Sequence, residues 1–271
     1  MQNPSRDDAL SWPVAALQRE LEPLLAGLSV EVIAEVDSTN SELMRRIRNG
    51  HRAPLLLVAE RQSAGRGRQG RTWLSHTDTH GEAHPQASLT FSLGLALQGS
   101  DLSGLSLAVG LALAEALHPD IGLKWPNDLW WEGQKLGGIL IETANQGPQR
   151  FAVIGVGLNL TQPQASDLRN PAAGLQHLLP GLDAATLLAR VALPLVRALV
   201  NFEALGFAPL QAAFTSRDIL RGKALVCGDG RCGTGAGVDT RGALLLHTAR
   251  GLETVLSDEV SVRPLPHSPL P

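Results

Sequence analysis

A glycine- and arginine-rich segment at residues 62–71, QSAGRGRQGR, is the part of the chain best suited to bind an anion. Its glycines let backbone N–H groups approach a ligand closely, and its arginines carry planar, permanently charged groups that match phosphate or carboxylate. A solvated basic loop or a nonspecific nucleic-acid patch would explain the same composition. The segment is not a Walker phosphate-binding loop, because the chain contains no G-x-x-x-x-G-K-[ST] sequence.

Two further motifs carry polar side chains next to apolar runs. Residues 124–128 read KWPND, and further along the chain Lys135 directly precedes Leu-Gly-Gly. A lysine at the end of a hairpin is usually a solvated charge, but one that precedes an apolar run with two glycines would be held against a confined site. The third motif, G-x-G-x-N at residues 155–159, ends a predicted strand, where Asn159 either caps a turn or binds a ligand.

Length and composition restrict the elements that must position these residues. A chain of 271 residues with 44% hydrophobic and 18% charged residues is typical of one large globular domain, alone or with a small second one. The net charge of −3 argues against a general polyanion binder, and no signal peptide or membrane-spanning run is evident. Two cysteines, Cys227 and Cys232, exclude a disulfide scaffold and a four-thiolate metal site. We therefore expect a cytoplasmic protein.

Hydrophobic periodicity predicts a large α+β unit followed by a small β unit. The predicted helices span residues 12–26, 41–48, 103–117 and 186–206. The predicted strands span residues 29–36, 55–59, 88–97, 121–124, 129–131, 137–143 and 151–160. Short β-like pieces broken by glycines fill residues 222–263 and indicate a small barrel. A boundary near 217–221 divides the chain into predicted domains at 1–217 and 218–271.

Taken together, the motifs resemble those of the biotin protein ligase family in order and spacing, over roughly residues 30 to 265. Each motif alone is weak evidence, whereas five in register are specific. They are Asp37-Ser38-Thr39-Asn40, Gln62-x-x-Gly65-Arg66-Gly67-Arg68-x-Gly70-Arg71-x-Trp73, Lys124-Trp125-Pro126-Asn127-Asp128, Lys135-Leu136-x-Gly138-Ile139 and Gly155-x-Gly157-x-Asn159. The resemblance implies an α+β fold, with a mixed sheet and helices like those of class II aminoacyl-tRNA synthetases, plus a small C-terminal SH3-like barrel.

The resemblance also implies an activity. Biotin and MgATP give biotinyl-5′-AMP, and the biotinyl group passes to one lysine of the biotin carboxyl carrier domain of acetyl-CoA carboxylase. Because a carboxylate must meet a phosphate, positive charge has to screen the two anions. A lipoate or octanoate ligase of the same fold is the alternative, and a non-enzymatic nucleic-acid binder is a further one.

The family pattern assigns roles residue by residue. Catalysis is assigned to Lys135, Arg68 and Asp128, where Asp128 either orients a lysine or the nucleophile or helps to hold magnesium. Biotin binding is assigned to Ser38, Thr39, Asn40, Gln62, Gly65, Arg66, Gly67, Arg68, Lys135 and Gly138. ATP or adenylate binding is assigned to Arg66, Arg68, Arg71, Trp73, Lys124, Asn127, Asn159 and Arg263. Glu259 either orients Arg263 or forms a surface ion pair with it. No protein ligand is assigned to Mg²⁺, which is expected to arrive with ATP.

Several features depart from the pattern or leave it open. Only 36 residues precede Asp37, too few for a winged-helix domain, so we expect no sequence-specific DNA binding and no membrane partner. An apparent insertion at 75–86 carries His76, His80 and His84 at helical spacing, but its glycine and proline argue against a helix that would align them on a metal. The loops at 62–73 and 161–181 are the predicted lids, and the second lacks a tryptophan. The protein is expected to be a monomer or a homodimer.

Overall fold

The computed structural model describes residues 11–74, 87–99, 101–163, 170–256 and 262–264. The described helices are α1 (Val14–Leu21), α2 (Thr39–Arg48), α3 (Leu105–Leu117), α4 (Ala184–Leu205) and α5 (Gln211–Arg217). The described strands are β1 (Ser29–Val36), β2 (Leu55–Gln62), β3 (Ser88–Leu97), β4 (Gly122–Lys124), β5 (Asp128–Trp131), β6 (Gln134–Gln146), β7 (Gln149–Asn159), β8 (Ala224–Cys227), β9 (Cys232–Val238), β10 (Leu244–Thr248), β11 (Gly251–Val255) and β12 (Val262–Pro264).

The first seven strands form one mixed sheet in the order β1-β2-β3-β7-β6-β5-β4. Only the β1–β2 pair is parallel, and the other neighbours are antiparallel. Helices cover both faces, and β2 shows this directly: Leu56 and Val58 belong to the core that includes α3 and α4, whereas Leu55 and Leu57 pack with α2. A strand buried on both faces reads as a continuous apolar run, as the LLLVA segment does.

Helix α4 belongs to this core. It is long and apolar enough, with 22 residues, to pass a length and hydropathy test for a membrane span. However, Leu187, Val191 and Leu195 are buried within the main core, and the helix packs along α3. It is therefore a core helix and not a membrane span.

The last five strands form an antiparallel sheet in the order β11-β10-β9-β8-β12. Several contacts join it to the first unit, among them an ion pair of 3.0 Å between Arg241 and Asp101. Trp125 donates its indole Nε1–H to the backbone oxygen of Gly242 at 3.0 Å, in a buried position, and Gln211 donates to the backbone oxygen of Val238 at 2.7 Å. The predicted boundary near 217–221 lies between α5 and β8.

The α+β class is confirmed, and the element boundaries differ in a few places. Helix α1 ends at Leu21 instead of Ala26, since Pro23 has no N–H to donate to the next turn. Helix α2 begins at Thr39, two residues earlier than predicted, because the Ser38 hydroxyl accepts from the Ser41 N–H and caps it. Helix α5 was not predicted. It is only 7 residues long and buries a single side chain, Phe214, so it has little periodicity to detect.

Candidate active site

A cavity of about 150 Å³ lies where the N-terminus of α2, the arginine-rich loop and the β4–β7 side of the sheet meet. Its lining includes six cationic side chains and one carboxylate, Asp128, among the described residues. The six cations are Arg66, Arg68, Arg71, Lys124, Lys135 and Arg263. The last of these comes from β12, so the C-terminal sheet supplies part of the wall. Such an excess of positive charge suits a ligand with several negative charges.

One wall is polar and tightly hydrogen-bonded. The oxygen Oε1 of Gln62 accepts from the backbone N–H of Thr39 at 2.8 Å and from its hydroxyl at 3.1 Å. The hydroxyl of Ser92, in β3, lies 2.7 Å from the Thr39 hydroxyl and 2.6 Å from the Asn40 amide oxygen. Thr39, Asn40 and Ser92 are all buried. This wall presents fixed donors and acceptors, which is what a small ring with several amide-like groups requires.

The arginine-rich loop has a defined shape of its own. Arg66 and Thr72 form an isolated antiparallel bridge, Gly67 N donates to Arg71 O at 2.7 Å, and Trp73 N donates to Gly65 O at 2.9 Å. The guanidinium of Arg66 pairs with Glu142 at 2.9 Å. The loop is therefore a small, self-bonded hairpin that carries its arginines to the mouth of the cavity.

Opposite this loop, charged residues form a row across three strands. Lys124 in β4 lies opposite Asp128 in the backbone register of β4 and β5. The Asp128 carboxylate accepts from Lys135 Nζ, in β6, at 2.7 Å. Lys124 is only 7% exposed, and its Nζ lies 4.5 Å from the ring centre of Trp130. Burial, which favours the neutral amine, lowers the pKa of Lys124 below 10.5, aided by Lys135, Arg263 and Arg71 and opposed by Asp128. Asp128 thus stands between two lysines and partly neutralises both.

The two glycines of the third motif make room for site residues. A Cβ on Gly155 would lie 2.2 Å from the Asn40 amide oxygen, and one on Gly157 would lie 2.5 Å from the Trp73 ring. Both distances are shorter than any normal contact. Trp73, whose ring centre is 5.9 Å from Lys135 Nζ, can lie this close to β7 because Gly157 has no side chain.

Most of the predicted site residues line the cavity, and two do not. Gly65 is among the residues outside the lining, where its backbone shapes the loop by bonding Trp73. Asn159 is also outside it: its buried amide donates to the backbone oxygens of Lys135 and Ala173, both at 3.3 Å. The structure therefore places Asn159 behind Lys135, as a tie between β6 and the chain at 170–173.

The second predicted lid is only partly described. Residues 164–169 lie outside the described part of the chain. Lys135 N donates to Pro171 O at 2.8 Å and Ala173 N donates to Lys135 O at 3.0 Å, so residues 170–173 are fixed along β6. Glu259 and the three histidines at 76, 80 and 84 lie outside the described residues too. Within the described residues, no three His, Cys, Asp or Glu side chains cluster in a way that could hold a metal ion.

Sequence reasoning missed three polar residues around the site. Thr90 lines the cavity, Ser92 joins Thr39 to Asn40, and Glu142 pairs with Arg66. Thr90 and Ser92 share one face of β3 with Ser88, and all three are buried. Three polar residues on one face of a buried strand are a detectable signal, because buried polar groups need partners. Glu142 carries no such signal, because it directly follows the apolar run of β6, where a solvent-exposed acidic side chain is common.

Comparisons with known proteins agree with this geometry. The model of the Biotin/lipoate A/B protein ligase family matches residues 32–159. The bifunctional ligase/repressor BirA of Escherichia coli strain K12 is 33% identical over 273 residues, covering 96% of this chain and 82% of that protein. The biotin–[acetyl-CoA-carboxylase] ligase of Paracoccus denitrificans is 30% identical over 246 residues, covering 84% of this chain and 98% of that protein.

A solved structure shows the same fold. The biotin protein ligase from Aquifex aeolicus, in complex with biotin and ATP, superposes with a TM-score of 0.71 at 28% identity, covering 87% of this chain and 99% of that one. The mixed sheet, the cationic cavity and these similarities define a carboxylic-acid-activating ligase of the biotin/lipoate class. Within that class, the chain belongs to the biotin protein ligase family, and the assignment made from its five motifs is confirmed.

Proposed function

We propose that the cationic cavity performs both half-reactions of a biotin protein ligase. In the first, a carboxylate oxygen of biotin attacks the α-phosphorus of ATP, the bond to the β-phosphate breaks, and diphosphate leaves. In the second, the amine of an acceptor lysine attacks the acyl carbon of biotinyl-5′-AMP. The bond from that carbon to the AMP oxygen breaks, and the amine loses a proton. The observation that carries the proposal is the convergence of six cations around one cavity beside a polar, amide-matching wall.

The proposal gives each wall a task. Thr39, Gln62 and their neighbour Ser38 bind the ureido ring, which is a rigid set of donors and one acceptor. Lys135 and Arg68 screen the carboxylate from the α-phosphate, where negative charge accumulates in the transition state. Arg263 contacts the departing diphosphate.

Asp128 is proposed to orient Lys135, because its carboxylate already accepts from that lysine. It is the single acid among the described residues that line the cavity, and one engaged carboxylate is a poor resident site for Mg²⁺, which prefers several oxygen ligands. We therefore propose that Mg²⁺ enters with the ATP phosphates. When bound, the ion neutralises phosphate charge.

The acceptor is proposed to be a biotin carboxyl carrier domain of acetyl-CoA carboxylase, as the name of the Paracoccus denitrificans relative indicates for that protein. Further parts of the proposal are a cytoplasmic location, a monomer or homodimer, and a division of the chain into units at 1–217 and 218–271.

Biotin-dependent exchange of label between diphosphate and ATP tests the first half-reaction. We expect exchange in the wild type and a loss of about 10²–10³-fold in Lys135→Ala, the range for removal of one electrostatic contact to a transition state. Lys223→Ala is the matched control, because Lys223 is exposed and away from the cavity lining. Exchange with lipoate or octanoate but not biotin would support the alternative ligase. Exchange with no acid would overturn the proposal.

A further inference from the structure

Glu142 lies outside the cavity lining, yet two site residues bind it. Arg66 donates from Nη2 to Oε1 at 2.9 Å and from Nη1 to Oε2 at 3.2 Å. Asn40 donates from Nδ2 to Oε2 at 3.0 Å. Both carboxylate oxygens are therefore engaged, by the arginine-rich loop on one side and by the first turn of α2 on the other.

These contacts continue inward to the polar wall of the cavity. The Asn40 amide oxygen accepts from Ser92 Oγ at 2.6 Å. Ser92 Oγ lies 2.7 Å from the Thr39 hydroxyl, and Thr39 is bonded in turn to Gln62. Glu142 is thus the outer end of a continuous polar network that begins at the cavity wall and ends at the loop.

This outer end is one of the contacts that hold the loop; backbone bonds from Ser63 and Ala64 to the end of β1 hold its start, and Trp73 lies against β7 at its other end. Hydrogen bonds between residues of the loop fix its shape but not its place over the cavity. Arg66 ties it to the body of the protein through Glu142 and through the Ser41 hydroxyl, to which it donates at 3.2 Å. An isolated exposed ion pair contributes little. Here the carboxylate is 22% exposed and also takes a hydrogen bond from the buried Asn40, which pre-orients it.

We infer that Glu142 is a positioning residue: it holds Arg66, and through Arg66 the arginine-rich loop, in register with the polar wall. The consequence for ligation rests on the proposed function. The claim that Glu142 holds the loop in place does not rest on the proposed function, because it concerns the chain without any ligand.

Limited trypsin digestion of the full unliganded chain reports how accessible the loop is, since Arg66, Arg68 and Arg71 are cleavage sites. The variant is Glu142→Gln, which keeps the side-chain length and one acceptor for Asn40 but removes the charge. Mass spectrometry measures the rate of cleavage after Arg68 and Arg71. We expect this rate to be about three- to tenfold higher in the variant than in the wild type, because cleavage follows the population of the open loop.

Asp229→Asn is the matched control. It removes an ion pair of similar length, 2.7 Å to Arg231, from the hairpin between β8 and β9, and it should leave cleavage of the loop unchanged. Glu142→Asp should fall between wild type and Glu142→Gln. Wild-type cleavage in Glu142→Gln would overturn the inference. So would an equal rise at arginines throughout the chain, because that pattern would mean general destabilisation.

A double-mutant cycle separates positioning from a general structural role. In an Arg66→Gln background, Glu142→Gln should add no further cleavage after Arg68 and Arg71, since the tie is already lost. Additive effects would show that Glu142 acts elsewhere and would overturn the inference. These readouts need no catalysis, so their failure is distinguishable from failure of diphosphate exchange, which tests the proposed function.

Discussion

Replacing Gly157 by alanine should displace the Trp73 ring and thereby damage the cavity without touching a charged residue. The new Cβ would lie 2.5 Å from Trp73 Cε2 and 2.6 Å from Cζ2, against at least 3.4 Å for an ordinary contact. The backbone of β7 cannot move away, because the strand is hydrogen-bonded to β3 on one side and β6 on the other. The ring must therefore retreat by about 1 Å.

The displacement affects stability and activity by different amounts. Overpacking of this kind costs about 1–3 kcal/mol, so the unfolding temperature should fall by a few degrees. A shift of about 1 Å in a group that positions reactants costs on the order of 10²-fold in rate. We therefore expect kcat/KM for biotin-dependent diphosphate exchange to fall about 100-fold in a variant that is still folded at 25 °C.

The matched control is Gly99→Ala, because a Cβ at Gly99 meets no atom of the described residues within 4 Å and the backbone there needs no positive φ. This variant should keep both the wild-type melting temperature and the wild-type exchange rate. If Gly157→Ala retained wild-type exchange, the reasoning about the ring would be refuted. The same holds if Gly157→Ala and Gly99→Ala were equally impaired.

Two pH-dependent predictions concern buried charges. Because the pKa of Lys124 is lowered in the folded state, the unfolded chain binds more protons below pH 10.5, so the free energy of unfolding should rise as pH rises toward that value. Lys124→Met should weaken this dependence in urea titrations carried out as pH approaches 10.5, and should abolish exchange while leaving the protein at pH 7 at least as stable; an unchanged pH dependence would contradict the assignment. The pKa of Asp218 is raised above 3.8, first by burial, and its Oδ2 has no hydrogen-bond partner among the described residues, so its stabilising contribution is present below that value and lost as pH rises through the folded-state pKa. Asp218→Asn, which keeps an acceptor for the Leu220 N–H, should therefore raise the melting temperature at pH 7 by about 2–4 °C, for about 1 kcal/mol, and by nothing at pH 3; an equal rise at both values would show that charge is not the cause.

The periodicity of the sequence was sufficient for most elements of the fold. Strand β3 begins and ends where its alternation predicts, at Ser88 and Leu97. The capped start of α2 was detectable in principle, since Ser38 stands three residues before the N–H that it binds. What periodicity cannot supply is strand order: β7 lies between β3 and β6 although about fifty residues of chain separate β3 from it. Which strands become neighbours depends on the packing of the whole sheet, and a periodic pattern within one strand does not record it.

The motifs predicted which residues line the cavity, but they did not predict the residues that bind those side chains from outside it. Lys135 and Asp128 were assigned from their motifs, and the structure places them 2.7 Å apart. Asn159 was assigned to the adenylate from the same kind of pattern, yet its amide is bonded to the backbone of residues 135 and 173. Glu142 was missed because a lone acid at the end of an apolar strand has no distinctive spacing. A motif records which residue types recur together, whereas contacts between distant segments are specified by the fold.

The indole of Trp125 has a consequence for how this protein can be divided or recombined. Trp125 sits in the turn that carries Asn127 and leads into Asp128 at the start of β5, and its buried N–H donates to the carbonyl of Gly242, between β9 and β10. Deleting that sheet would remove the acceptor of this indole N–H, in addition to removing Arg263 from the cavity. A C-terminal sheet transplanted from a relative should therefore offer a carbonyl at the same place, which makes the backbone at Gly242 one criterion for compatible chimaeras.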